Sequence, residues 1–263
     1  MIRVIRAEMV KLTRRRFMAF TALGAVAFGA GSAAISVLTA ESGAARRGSE
    51  LLSIEALSTA GGGTAAALGA VAFGAVFMFA AFIAGVAGEF TRGTFRTLLL
   101  AQPSRMQLLA GKLVALIGLC AAALAVAELS GWGVARLLAP GQGIDVSQWG
   151  SLDALTAAGE DYGRLMIWLV GWAILGTAVG AIARSVPVGV LAGLVWAGPV
   201  ENVIADGWEP AQRWFPGLLL RSLLSPETSV VSTSRALATI GCYCAVAAGV
   251  AAGVVQRRDV AGA

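Results

Sequence analysis

Apolar positions in this chain do not alternate with polar ones; they run together. A helix needs roughly 20 apolar residues to cross a hydrocarbon core of ~30 Å. Six stretches meet or approach that length: 17–38, 64–88, 108–130, 165–183, 186–205 and 236–255. The pattern predicts an all-α polytopic membrane protein, one domain over 1–263 with six transmembrane helices. Four of the six stretches carry no charge. The third starts close to Lys112 and holds Glu128 towards its far end, and the fifth is interrupted by Pro199 and Glu201. The first follows a basic segment without a clear cleavage site, so it reads as a retained span rather than a signal peptide.

Two further segments have apolar residues in shorter patterns. In residues 1–16, Ile2, Ile5, Met9 and Leu12 fall on one helical face, with Arg3, Arg6 and Arg14 off it. This predicts an amphipathic helix on the cytosolic membrane surface; a basic retention signal without fixed structure is the other reading. In 206–235, Trp208, Trp214 and Phe215 alternate with Pro210, Pro216 and Pro226 around a leucine run. Tryptophan favours the membrane interface and proline divides the segment, so short interfacial or re-entrant helices are expected on the outer side.

Composition narrows the class. Hydrophobic residues make up 57% and charged residues 13%, with mean hydropathy +0.78, against roughly 25% charged in ordinary soluble domains. A soluble globule and a disordered chain are both excluded. Histidine is absent, and Cys120, Cys242 and Cys244 all lie in apolar runs, so no metal site or disulfide framework is indicated. With the N-terminus inside, the inner stretches hold Arg3, Arg6, Lys11, Arg14, Arg15, Arg16, Arg92, Arg96, Arg105, Lys112, Arg184, Arg257 and Arg258, 13 of the 20 basic residues. Only Glu8, Glu89 and Asp259 among the acids fall there. This bias puts both termini in the cytosol. It also explains a pI of about 9.7 by attraction to anionic lipid, with no nucleic-acid partner.

Small residues recur at four-residue spacing, as in Ala25/Gly29/Ala33 and Gly176/Gly180. Such spacing lets helix backbones approach closely, either in bundle packing within the chain or on a dimer face. Gly61-Gly-Gly-Thr64 lacks a lysine and reads as a flexible outer loop.

The segment from Gly88 to Leu113 is the most informative. Gly93 permits a sharp turn where the second span ends. Thr94 is placed to cap a short helix, Phe95 to Ala101, which Pro103 closes, within a segment over 92–102. Ser104 and Gln107 have capping-box spacing for the third span. Phe95, Leu98 and Leu99 would lie on one side of the short helix and Arg92 and Arg96 on another. An apolar-plus-basic knob of this kind suits a groove on another protein, and Glu89 is close enough to Arg92 for an exposed pair.

Here the chain resembles the permeases of type-2 ATP-binding-cassette (ABC) exporters, and among them the bacterial drug- and peptide-antibiotic-resistance permeases. The resemblance is carried by Glu89, Gly93, Thr94, Leu98, Leu99, Pro103, Ser104, Arg105 and Lys112. Weaker likeness extends to the basic entry segment from Ile5 to Arg16, to Ala183-Arg-Ser185 between the fourth and fifth spans, and to Trp214-Phe-Pro-Gly217. It implies that the 92–102 segment contacts a cytosolic ABC ATPase. It also implies a second permease copy or paralogue as partner, and a bacterial cell membrane as the location. No G-x-x-x-x-G-K-[S/T] phosphate loop occurs, so ATP and Mg would be held by the partner and this chain would be a transport subunit, not an enzyme.

Glu128 and Glu201 are the costly residues of the spans. Sixteen residues, ~24 Å of helix, separate Lys112 from Glu128, and Glu201 is roughly 22 Å from Val186, so both fall in the outer third. One reading has each reach headgroup water or pair with Arg136 or Arg221. The other has the two line the outer exit of a pathway for a cationic or amphipathic substrate. Asp145, Asp153, Glu160 and Asp161 fall in a turn-rich outer loop and read as solvation or weak cation binding. A stand-alone channel or ion-coupled carrier usually carries a charged midplane site or an inverted repeat, and neither is found. An immunity or sensor subunit of a membrane complex is not separable from an exporter by sequence. The substrate class stays open among drug, antimicrobial peptide and lipid.

Overall fold

The computed structural model describes residues 1–41, 52–68, 71–101, 104–224 and 229–257. In chain order its helices are α1 (Ile2–Leu12), α2 (Arg15–Leu38), α3 (Ile54–Leu57), α4 (Gly62–Leu68), α5 (Val71–Thr91), α6 (Thr94–Ala101), α7 (Arg105–Leu138), α8 (Leu152–Ala183), α9 (Val186–Val195), α10 (Glu201–Gly207), α11 (Pro216–Leu224) and α12 (Thr233–Arg257). The protein is all-α. Among the described residues, five stretches are long and apolar enough to cross a membrane: Arg15–Leu38, Arg105–Gln142, Leu152–Ala183, Val186–Gly207 and Thr233–Arg257. The chain is therefore a multi-pass membrane protein. The remaining predicted span, 64–88, is covered by α4 and by most of α5, and Gly69 and Ala70 between them lie outside the described residues; among the described residues Val76–Thr91 is a shorter apolar stretch than the other five.

Two helices overshoot the bilayer. α7 has 34 residues and α8 has 32, roughly 51 and 48 Å at 1.5 Å per residue, against a ~30 Å core. The predicted spans 108–130 and 165–183 are the apolar parts of these rods. The excess forms an ordered cap at one end. Ala33, Val37, Leu57, Ala66, Ala135, Ala139, Ile144 and Trp149 make one buried cluster there. Trp149 donates its indole N–H to the carbonyl of Leu57 at 3.0 Å. Two expectations are corrected by this cap. Asp153, Glu160 and Asp161 belong to α8, not to a loop, because Ser151 caps the helix by accepting from the amide of Ala154. The Gly61–Thr64 run is not a flexible loop: Gly62 and Gly63 open α4 and are buried, Gly62 against the backbone of Leu57 and Gly63 against Trp132 and Trp149.

Small residues set the packing inside the bundle, as expected where lipid supplies no hydrophobic drive between helices. α2 lies on α7, where a Cβ on Gly29 would overlap the carbonyl of Ala127. Nearby, Ser32 of α2 donates its hydroxyl to the Ala67 carbonyl of α4 at 2.7 Å. α5 lies on α8, with Gly176 against Phe79 and Phe82 and Gly180 against Ile83 and Val86. Both four-residue spacings seen in the sequence are thus used within the chain.

The main core joins Phe79, Phe82 and Ile83 of α5, Leu165 to Ala173 of α8, and Leu219 to Leu224 of α11. α11 packs on α8 and α12 with Leu219, Leu220, Leu223 and Leu224 buried. Pro199 sits in a π-turn, Trp196–Val200, between α9 and α10. Proline has no N–H to donate and its ring crowds the preceding turn, so the widened turn is its physical answer. Asn202 donates its side-chain amide to the Gly198 carbonyl at 2.7 Å within it.

Candidate functional site

The connections on the basic side of the sequence meet at one end of the bundle. The N-terminal amine reaches Gln107 Oε1 at 3.4 Å, the Thr91 hydroxyl donates to the Arg184 carbonyl at 3.2 Å, and Arg105 Nη1 donates to the carbonyls of Val255 and Gln256 at 3.0 and 3.3 Å. Arg105 thereby satisfies the last turn of α12, where unpaired carbonyls and the helix dipole favour a cation. Arg184 terminates α8 in the left-handed region, φ 52°, with its guanidinium 5.1 Å from the Phe90 ring centroid.

At the centre of this end lies a buried ionic cluster. Lys112 Nζ is 2.9 Å from Glu8 and 2.8 Å from Glu89, and Lys11 is 2.8 Å from Glu8 and 3.9 Å from Glu89. The carboxylate side chains of Glu8 and Glu89 are 8% and 7% exposed and Lys112 is 13% exposed. The Thr94 hydroxyl donates to the Glu89 carboxylate. Two acids and two lysines balance, as buried charges must. The cluster binds α1, the end of α5, the start of α6 and α7 into one unit. Burial of Glu8 comes from the register of α1: Val4 packs on Gly111, which turns Glu8 towards Lys112.

α1 has the predicted helical form, but its contact with α7 is made through Val4 and Glu8, beside the apolar stripe. Ile5, Met9 and Leu12 of that stripe are half-buried, while Ile2 is exposed.

The residues of the 92–102 segment separate into distinct roles. Gly93 has φ +66°, the left-handed geometry that glycine adopts without strain. Thr94 is the first residue of α6; its hydroxyl serves Glu89 in place of a helix cap. Arg92 is exposed and folds back over Gly88. Glu89 takes Lys112 as its partner, where an exposed pair with Arg92 was expected. Leu99 packs with Phe90 on a buried cluster that includes Val86, Leu109, Ala178 and Val255. Leu98 is half-buried against a cavity. Leu100 alone among these three leucines projects outward, 88% exposed. Phe95 and Arg96 lie on α6, but their side chains are outside the described residues, as are Gln102 and Pro103. Ser104 caps α7, accepting from the Gln107 amide at 3.4 Å.

Sequence reasoning missed the convergence of Glu8, Lys11 and Lys112, and it missed Leu100. The first left a trace: Glu8 is the single acid in a basic segment, and Lys112 stands at the edge of an apolar span.

The span glutamates have separate surroundings. Glu201 opens α10 and is 1% exposed. Its Oε2 accepts from the amide of Leu218 at 3.1 Å and lies against Gly217, where a Cβ would displace it. A carboxylate from one helix thus satisfies the first turn of another. Glu128 is half-buried, in contact with a small void bounded by Phe28, Ala67, Leu68 and Leu165. Asp161 is buried; it accepts from the Thr64 hydroxyl at 2.7 Å and from Arg164 at 3.3 Å. Arg136, a suggested partner for the glutamates, lies 5.3 Å from the Trp132 ring centroid.

Compared with protein-family models, with curated proteins and with solved structures, the chain matches none of them.

Proposed function

We propose that the chain is the transmembrane subunit of an ABC exporter, with six spans, both termini in the cytosol of a bacterial cell, and a separate ATPase partner. The observation that carries the reading is α6. It is a short helix tied to the two flanking helices, α5 and α7, at the basic end, with its base locked by Thr94 to a buried ionic cluster and Leu100 directed outward. Motion imposed on α6 from outside reaches α5 and α7 through the Glu89–Lys112 pair and α12 through Arg105. In this reading ATP closes two partner ATPases, α6 receives the displacement, and the bundle of this chain and a second copy or paralogue alternates access. The sequence likeness around Glu89, Gly93, Thr94 and Lys112 supports the same reading, in which α5, at the second predicted span, supplies the sixth crossing.

Co-purification of the chain with an ATPase carrying a phosphate loop tests it. The expected outcome is a stable complex whose ATP hydrolysis is stimulated by an exported amphipathic compound. Full transport activity by the chain alone in proteoliposomes would overturn it. That second outcome belongs to an ion-coupled carrier, a reading that would draw on the buried carboxylate of Asp161 in α8.

A further inference from the structure

A cavity of about 160 Å³ opens between α1, α5, α6 and α7 at the basic end. Its walls are Val4, Ala7, Val86, Leu98, Leu108 and Leu109; the charged cluster of Glu8, Glu89 and Lys112 borders it, and Arg3 completes the lining. The cluster's charges are spent on each other. Arg3 is exposed, and among the described residues it makes no ion pair. The site therefore offers an apolar interior with one available cation at its edge. α1 exposes Ile2 and Val10 together with Arg3 and Arg6, the mixture that seats a helix at the boundary of headgroups and acyl chains. A ligand reaching this opening from the bilayer meets the apolar walls and the guanidinium together.

We infer that this cavity binds an anionic glycerophospholipid, with acyl chain against Val86, Leu98 and Leu109 and phosphate on Arg3. A zwitterionic lipid has the same chain but brings its own ammonium to the arginine, which removes the electrostatic gain. The inference rests on the membrane placement of the chain and not on the export reading. A lipid in this place also fills the space behind Leu98, so it would brace α6 against the bundle.

The test uses the full chain in vesicles of equal parts phosphatidylglycerol and phosphatidylcholine. The protein is extracted in mild detergent, and the lipids retained on it are counted by native mass spectrometry. Phosphatidylglycerol should be retained in preference to phosphatidylcholine. Arg3→Gln should reduce that preference about fivefold, the ratio equivalent to ~1 kcal/mol for one basic residue near an anionic surface. Arg6→Gln removes the same charge from a residue that does not line the cavity and should leave the preference unchanged. Ala7→Trp should block retention of both lipids; circular dichroism checks its fold, and Arg3→Gln carries the test if it fails to fold. Equal losses in Arg3→Gln and Arg6→Gln would reduce the effect to general surface charge and overturn the inference. So would full retention in a folded Ala7→Trp protein. Displacement of the lipid by inorganic phosphate alone would mark a phosphate site and equally overturn the role given to the chain.

Discussion

Replacing Lys112 with methionine keeps most of the length of the side chain and removes the buried ammonium held within 2.9 Å of two carboxylates. Removing one partner of a buried pair typically costs about 3–5 kcal/mol, because the charge left behind stays desolvated. Lys11 remains 2.8 Å from Glu8 after the change, so the lower end, ~3 kcal/mol, is the expected loss. For a chain of this size that lowers the Tm by roughly 6–12 °C, at 2–4 °C per kcal/mol. Lys11→Met is the control. Its side chain is 47% exposed, and removing such a charge costs about 0–1 kcal/mol. A third variant, Lys112→Met with Glu8→Gln and Glu89→Gln, removes the charges together and should recover most of the loss, since a neutral replacement of a whole buried network is often near neutral. Thermal unfolding of the three proteins in one detergent decides the matter. Equal shifts for Lys112→Met and Lys11→Met, or a triple variant no more stable than Lys112→Met, would refute the claim that burial makes this cluster the fastening of the basic end.

Other substitutions separate neighbouring roles. Leu100→Asp should leave stability within about 0.5 kcal/mol of the parent, yet, on the export proposal, abolish ATP-driven transport in a complex reconstituted with the ATPase; Leu99→Asp places a charge in a packed cluster and should cost at least ~2 kcal/mol by thermal unfolding. Gly29→Ala should destabilise by about 1–3 kcal/mol through overpacking against Ala127, whereas Gly24→Ala, which meets open space, should be neutral or slightly stabilising. Glu201→Ala should cost about 0.5–2 kcal/mol, the scale of a lost helix cap, and Glu201→Gln less, since the amide oxygen still accepts from Leu218; unfolding midpoints measure both.

The helical class and the approximate spans were legible because each follows from local apolar run length. Gly93 was legible for a similar reason, since a turn between a span and a short helix needs a residue that accepts positive φ. What the sequence could not disclose is which side chains meet across long separations. Glu8 and Lys112 are 104 residues apart, and nothing in either neighbourhood announces the other. Glu89 was assigned to Arg92 by proximity along the chain, although α1 supplies Lys11 and α7 supplies Lys112. The leucines of α6 show the limit of periodicity: Leu98, Leu99 and Leu100 are chemically alike, and only packing distinguishes the exposed one. The outer ends of α7 and α8 were missed because their helical turns beyond the membrane carry charged and small residues, a composition that loops share.

Arg105 has a consequence for the timing of biogenesis. It stands at the head of α7, and the carbonyls it holds are about 150 residues later in the chain. At a synthesis rate of about 5–20 residues per second, α7 would wait roughly 8–30 s before those carbonyls exist. Throughout that interval the guanidinium lacks the two carbonyls that it holds in the finished bundle. α12 therefore closes this face of the bundle only after α8 and α11, the helices it packs on, have been made.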